Sequence, residues 1–126
     1  KSATPGMSAP ATCTYRAVPV TRVGGSLSVP GDKSISHRAL MLGAVADGQT
    51  CITGFLESAD CHATLRALRA LGVPIEQPAA HQVVVTGVGM AGLQPSAGAL
   101  DMGNAGTAMR LFMGLLCAQR FPSRLI

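Results

Sequence analysis

"VPGDKSISHRALML" runs from Val29 to Leu42. A turn pair, Pro30-Gly31, leads into Asp32-Lys33-Ser34, and from there the apolar residues follow a helical pattern. Upstream, "SLSV" (Ser26 to Val29) alternates in polarity between Gly-Gly and Pro-Gly, which predicts a short strand. Downstream, Ile35, Ala39, Leu42 and Ala46 fall at i, i+4, i+7 and i+11, which predicts a helix over 33–46 with one stripe facing a sheet. The junction carries an electrostatic conflict. Lys33, His37 and Arg38 sit on the first turns of the helix, where the positive end of the macrodipole favours acidic side chains. A bound anion resolves it. Glycine lets a ligand approach the backbone, the first N–H groups of a helix are open, and a hydroxyl, an ammonium and a guanidinium lie beside them. Ser34 and Arg38 share one face at i, i+4, and Lys33 and His37 form an adjacent pair at the same spacing. The plainer alternative is a capped, solvated helix start. A Walker A loop is excluded, because Asp32 separates Gly31 from Lys33.

Working outward, Asp47-Gly48 ends the first helix, and "QTCITGF" reads as a strand. "SADCHATLRALRALG" predicts a second helix with Ala63, Leu65, Leu68 and Leu71 inside. Arg66 and Arg69 lie on its solvated face, and Gly72 is its C-cap. "VPIEQ" and "HQVVVTG" predict two strands joined by "PAAH". The order over residues 25–89 is thus β-α-β-α-β-β. A loop, "GMAGLQPSAG", follows. Then "ALDM" predicts a strand, "NAGTAMRLFMGLLCAQ" a helix with Met109, Phe112, Leu115 and Leu116 apolar, and "SRLI" the opening of another strand. A second unit therefore begins at about residue 99. The fold class is α/β (α+β). Residues 1–20 read as a flexible tail ending in a short extended segment, and residues 21–126 as the folded part.

The second strand-to-helix turn, "GNAGTAMR" (Gly103 to Arg110), repeats the logic of the first. Asn104 is placed to cap, Gly106 opens the backbone to a ligand, Thr107 offers a hydroxyl, and Arg110 follows one turn later. Two such turns in one sheet would form one anion pocket; an ordinary Asn-Gly helix cap is the alternative. "GVGMAG" (Gly87 to Gly92) matches G-x-G-x-x-G, but Pro95 and small residues follow where a helix must open, so dinucleotide binding is excluded. His62 and His81 read as incidental surface residues.

Composition sets bounds. A chain of 126 residues forms one domain of ordinary size. Its net charge of +4 comes from dispersed basic residues, not a basic run interleaved with aromatics, so a small anion fits better than a nucleic acid. No apolar run approaches the ~18 residues of a membrane span. The four cysteines form no C-x-x-C and no zinc-ligand spacing, which leads to the expectation of reduced thiols in a cytoplasmic protein. Lys1 at the start implies a processed, cut or tagged N-terminus, with Met7 as the alternative initiator, and Leu125-Ile126 opening a strand at the end suggests a segment of a longer protein.

"PGDKSISHRALML" and "LDMGNAGTAMR" together resemble the two N-terminal signature segments of the EPSP synthase family (3-phosphoshikimate 1-carboxyvinyltransferases). "ADGQTCITGFLESAD" and "LRALGVPIE" are similar to the family as well, and the resemblance covers residues 23–121. It implies two similar lobes of three β-α-β-α-β-β units each, of which this chain holds part of one. It implies transfer of enolpyruvyl from phosphoenolpyruvate to the 5-hydroxyl of shikimate 3-phosphate, in the shikimate pathway, through a tetrahedral intermediate, without metal or organic cofactor. Lys33 matches the lysine that contacts both substrates and is the catalytic candidate. Ser34 and Arg38 match residues that hold shikimate 3-phosphate. Gly106 matches the glycine whose backbone meets phosphoenolpyruvate or the inhibitor glyphosate, with Asn104 and Thr107 flanking it.

Two departures stand out. Leu111 follows Arg110 where many members have proline, which argues for a tilted helix and glyphosate tolerance, whereas the retained Gly106 argues for sensitivity. Family enzymes are several times longer, so the later phosphoenolpyruvate-binding arginine, the acidic catalytic groups and the second lobe lie outside this sequence. The remaining C-terminal part is then a required partner for catalysis. A stand-alone, non-catalytic anion-binding module derived from the enzyme is the alternative. Transfer to a UDP-sugar is disfavoured, because Lys33, Ser34 and Arg38 suit the shikimate substrate.

Overall fold

The structure is a computed structural model and describes residues 14–126. The flexible-tail expectation for residues 1–13, and Cys13, lie outside the described residues. The elements are α1 (Lys33–Val45), β1 (Asp47–Thr53), α2 (Ala59–Ala70), β2 (Ile75–Ala79), β3 (Gln82–Val88) and α3 (Gly106–Cys117). The three strands form one antiparallel sheet in the order β1-β3-β2, with Asp47 opposite Val88 and Ile75 opposite Val85. Leu40, Ala44, Phe55, Leu65, Leu68, Leu71, Val83, Val85 and Phe112 are fully or almost fully buried in one core.

The first predicted strand does not form. Residues 14–32 contain no helix or strand, and Leu27 and Val29 are 82% and 74% exposed. Alternating polarity supplies strand propensity, but a strand also needs a neighbour to take its backbone hydrogen bonds. Here β1, β3 and β2 pair with one another, and Ser26–Val29 finds no neighbour among the described residues.

α1 forms where predicted but turns a different face inward. Ser36, His37, Leu40, Met41, Gly43 and Ala44 are buried, while Ile35 and Leu42, both in the predicted stripe, are each 68% exposed. From Ala39 to Val45 the helix is apolar all round, so periodicity set no unique phase. Small residues decided it: at Gly43 an added Cβ would lie 3.2 Å from Thr50. α2 buries the expected Ala63, Leu65 and Leu68, followed by Leu71 at its C-cap, and Gly72 takes the left-handed φ of +86° that ends it. Arg69 is not simply solvated, since its guanidinium donates twice to the Ile75 carbonyl, at 2.6 and 3.1 Å, and ties α2 to β2.

Asp47-Gly48 follows the end of α1 at Val45, where the stop was expected, and also opens β1. Near the C-terminus, Leu100 and Leu125 form an isolated parallel bridge, supported by Leu100 N–H donating to Arg124 O at 2.8 Å. This is the start of the second β-α-β, and it does not join the three-stranded sheet. The two turns of interest therefore do not belong to one sheet. The glycines of "GVGMAG" serve packing: a Cβ on Gly87 would lie 2.1 Å from the Ala46 carbonyl oxygen, and one on Gly92 1.9 Å from that of Val88. As expected, no helix opens after them; α3 begins only at Gly106.

Candidate anion-binding site

Asp32 resolves part of the electrostatic conflict at α1. It is the N-cap: its carboxylate accepts the Ile35 N–H at 2.8 Å and its carbonyl accepts the Ser36 N–H at 3.0 Å. The N–H groups of Lys33 and Ser34 take no partner among the described residues. The helix thus has a negative cap and an open, basic first turn with no acidic residue in it. Arg38 reaches back along the same face and donates to the Ser34 carbonyl at 3.1 Å, so Ser34 and Arg38 are neighbours as predicted. Gly31 has a structural reason beyond ligand approach. A Cβ there would sit 1.9 Å from the Gly54 carbonyl oxygen, so the turn packs directly on backbone.

His37 is not part of the open face. It is fully buried, with Nδ1 2.8 Å from Thr64 Oγ1 on α2, and its Nε2 has no hydrogen-bond partner among the described residues. Burial pushes its pKa down; Lys33 and Arg38 push the same way and Asp60 opposes them. A folded-state value below the unfolded one means that the unfolded chain binds the proton more readily. Stability from this group is present above the ordinary histidine pKa and lost as pH falls through the lower folded value. His37→Asn is expected to flatten that acid limb, read from thermal unfolding midpoints between neutral and mildly acidic pH; an unchanged limb would assign it to other groups.

Lys33 also pairs across the helices. Its ammonium lies 2.9 Å from Asp60 Oδ2, and Asp60 holds the Lys33 pKa above its ordinary value, first through the hydrogen bond and then through its charge. Asp60 and Thr64 were not legible as partners, because nothing local marks them. His62 and His81 are less incidental than expected: His62 Nε2 lies 2.6 Å from Glu57 Oε2, and the His81 N–H donates to Glu57 Oε1 at 3.1 Å. These contacts hold Glu57 below the usual carboxylate range, with the His81 backbone N–H the larger cause. They fasten the start of α2 to the β2–β3 turn.

At the second turn the N-cap is Ala105, not Asn104, and no side chain among the described residues caps α3. Asn104 contributes its carbonyl, which accepts the Gly106 N–H at 3.2 Å. Asn104 and Gly106 are exposed and Thr107 is half-buried. An uncapped helix start of this kind presents bare N–H groups to an anion. No hydrogen bond or ion pair among the described residues links this turn to Lys33, Ser34 or Arg38. The two helices do approach one another: Arg38, Met41, Leu42 and Val45 of α1 and Leu111 and Leu115 of α3 line a shared groove of about 300 Å³. Arg38 and Leu111 thus meet at the same cavity.

Among the described residues no group of three or more His, Cys, Asp or Glu is placed to hold a metal ion, and no helix is long and apolar enough to cross a membrane. Cys51, Cys61 and Cys117 are free thiols. The class this geometry defines is an α/β protein with open helix N-termini, suited to phosphate or carboxylate groups. The particular family follows from comparison with known proteins. The family model described as EPSP synthase (3-phosphoshikimate 1-carboxyvinyltransferase) matches residues 18–126, and the chain belongs to that family. It is 58% identical over 106 residues to a 3-phosphoshikimate 1-carboxyvinyltransferase of Xanthomonas oryzae pv. oryzae, covering 84% of this chain and 24% of the relative. To that of Alkalilimnicola ehrlichii it is 59% identical over 101 residues, covering 80% and 23%. The solved EPSP synthase from Acinetobacter baumannii superposes with a TM-score of 0.77 at 55% identity, covering 81% of this chain and 23% of that one. The chain thus spans about a quarter of the length of the relatives it matches.

Proposed function

We propose that this chain is the N-terminal part of a transferase that moves enolpyruvyl from phosphoenolpyruvate to the 5-hydroxyl of shikimate 3-phosphate, acting in the cytoplasm. In this reading Lys33, Ser34 and Arg38 hold shikimate 3-phosphate. Lys33, with the turn of Asn104, Gly106 and Thr107, meets phosphoenolpyruvate or glyphosate, and Lys33 is the catalytic residue this segment contributes. Residues 21–126 form part of one substrate-binding lobe, with the first unit over about 25–89 and the second begun at about 99. The observation that carries the reading is the start of α1: an Asp32-capped helix with two open N–H groups and with Lys33, Ser34 and Arg38 around them, in a chain of this family. Both substrates are phosphorylated, and such a start favours phosphate.

The test is phosphate release from shikimate 3-phosphate plus phosphoenolpyruvate. It compares the chain alone with a chimera in which it replaces the matching stretch of the A. baumannii enzyme. Activity in the chimera only is the expected outcome. Shikimate 3-phosphate binding to the chain with no turnover in either form would instead favour the non-catalytic module.

Gly106 makes a sharper prediction. A Cβ added there meets open space, so Gly106→Ala is expected to leave stability within about 0.5 kcal/mol. If the glycine backbone faces phosphoenolpyruvate, the same methyl intrudes on the ligand and weakens glyphosate competition by about tenfold or more. A glyphosate titration of the chimera and its Gly106→Ala variant reads this directly. Equal inhibition of the two forms would remove Gly106 from the site.

A further inference from the structure

The N-terminal halves of α1 and α2 are joined by two rungs. Lys33 Nζ meets Asp60 Oδ2 at 2.9 Å, and His37 Nδ1 meets Thr64 Oγ1 at 2.8 Å. Both pairs are 27 residues apart, and on each helix the two partners are four residues apart, so the rungs stack. Between them the Cys61 thiol reaches the Lys33 carbonyl at 3.9 Å. The lower rung is fully buried and fixes the register of the two helices. The upper rung is at the surface, with the side chains of Lys33 and Asp60 52% and 24% exposed. An exposed ion pair contributes little to stability. Its effect is on the lysine itself, a point charge at the end of a flexible four-carbon stem. Asp60 is well placed to restrain it, because a carboxylate in the first turn of α2 is itself favoured by that helix.

We propose that Asp60 is a positioning residue for Lys33: from the first turn of α2 its carboxylate holds the Lys33 ammonium over the open start of α1, ready for the phosphorylated substrates. The inference rests on the role of Lys33 proposed above and extends it to a residue that acts only through the lysine. A lysine is cationic at neutral pH with or without Asp60, so removing the carboxylate changes where the charge sits, not whether it exists. The groups acting on Lys33 are Asp60 and Cys61 from α2, and it acts in turn on His37 of its own helix, which also feels Arg38.

The experiment compares wild type, Asp60→Asn and Asp60→Glu in the chimera. It reads kcat and KM separately, the pH profile of kcat/KM, and the melting temperature. Asp60→Asn is expected to raise KM about tenfold, the cost of ordering a freed lysine on binding, with melting unchanged. The alkaline limb of its profile moves to lower pH, and Asp60→Glu restores part of both. A second reading uses the chain alone: the NMR titration of the Lys33 ε-carbon, whose midpoint falls in Asp60→Asn. An unchanged midpoint overturns the pairing, whatever the chimera does. A wild-type chimera that binds shikimate 3-phosphate, with Asp60→Asn indistinguishable from it, overturns the positioning alone. A wild-type chimera that does not bind shikimate 3-phosphate overturns the substrate reading, and the role of Asp60 with it.

Discussion

Lys33→Met in the chimera is expected to lower kcat/KM by about a thousandfold, the scale of losing one preorganised electrostatic contact to a developing charge. Lys33 begins α1, where the N–H groups of Lys33 and Ser34 are open and Arg38 lies on the neighbouring face. Its ammonium is half exposed and, among the described residues, paired only to Asp60. Methionine keeps the length of the stem and removes the charge, so folding is expected to survive while the anion contact is lost. Lys33→Arg is expected to rescue little. A planar guanidinium spreads its charge and prefers a bidentate partner, whereas a lysine shared by two anions acts as a compact point charge. Steady-state kinetics with both substrates varied, alongside a melting curve, is the measurement. A Lys33→Met chimera of wild-type kcat/KM would remove the lysine from the chemistry and with it the main support for the proposed function.

Gly87→Ala is expected to destabilise the fold by about 3 kcal/mol, the upper end of ordinary overpacking. The glycine lies on β3 under the end of α1, where an added Cβ would stand 2.1 Å from the Ala46 carbonyl oxygen and 2.6 Å from that of Gly43. Neither oxygen belongs to a flexible side chain. The Ala46 carbonyl also accepts the Gly89 N–H at 3.1 Å, so the helix cannot lift without breaking a backbone hydrogen bond. Gly114→Ala is the matched contrast. It makes the same chemical change within α3, where nothing lies within 4 Å, and is expected to stabilise by about 0.5–1 kcal/mol through helix propensity. Urea unfolding of both variants tests the pair. The expectation fails if Gly87→Ala shows an undiminished midpoint at unchanged slope.

The glycines show how a motif misleads in one way and informs in another. "GVGMAG" has the spacing of a phosphate-binding turn, and the absence of a helix after it was readable from Pro95 and the small residues that follow. What those glycines do was not readable. Gly87 and Gly92 are small because backbone carbonyls lie against them, and those carbonyls come from Ala46, Gly43 and Val88. Gly31 is similar: chosen in sequence as a place for a ligand to approach, it is required first by the carbonyl of Gly54.

Much of this protein was set by local sequence. Lys33, Ser34 and Arg38 occupy the start of a helix because Pro30-Gly31 breaks the chain, Asp32 caps, and a helix-forming run follows. Those are short-range causes, and they place the candidate site. The β1, α2, β2, β3 order and the inner face of α2 were legible for the same reason, because strand alternation, Gly72 and a clear amphipathic stripe act over a few residues. Three matters were decided only by tertiary structure. Ser26–Val29 has strand character but, among the described residues, no neighbour for its hydrogen bonds, so it stays out of the sheet. α1 is apolar on several faces, and close packing at Gly43 and Gly87 chose the one that went inward, burying His37 and exposing Ile35 and Leu42. The partners of Lys33 and His37 lie 27 residues away, and only the docking of α2 against α1 brings Asp60 and Thr64 to them. Periodicity constrains residues that share an element; which residues meet between elements depends on how whole surfaces fit.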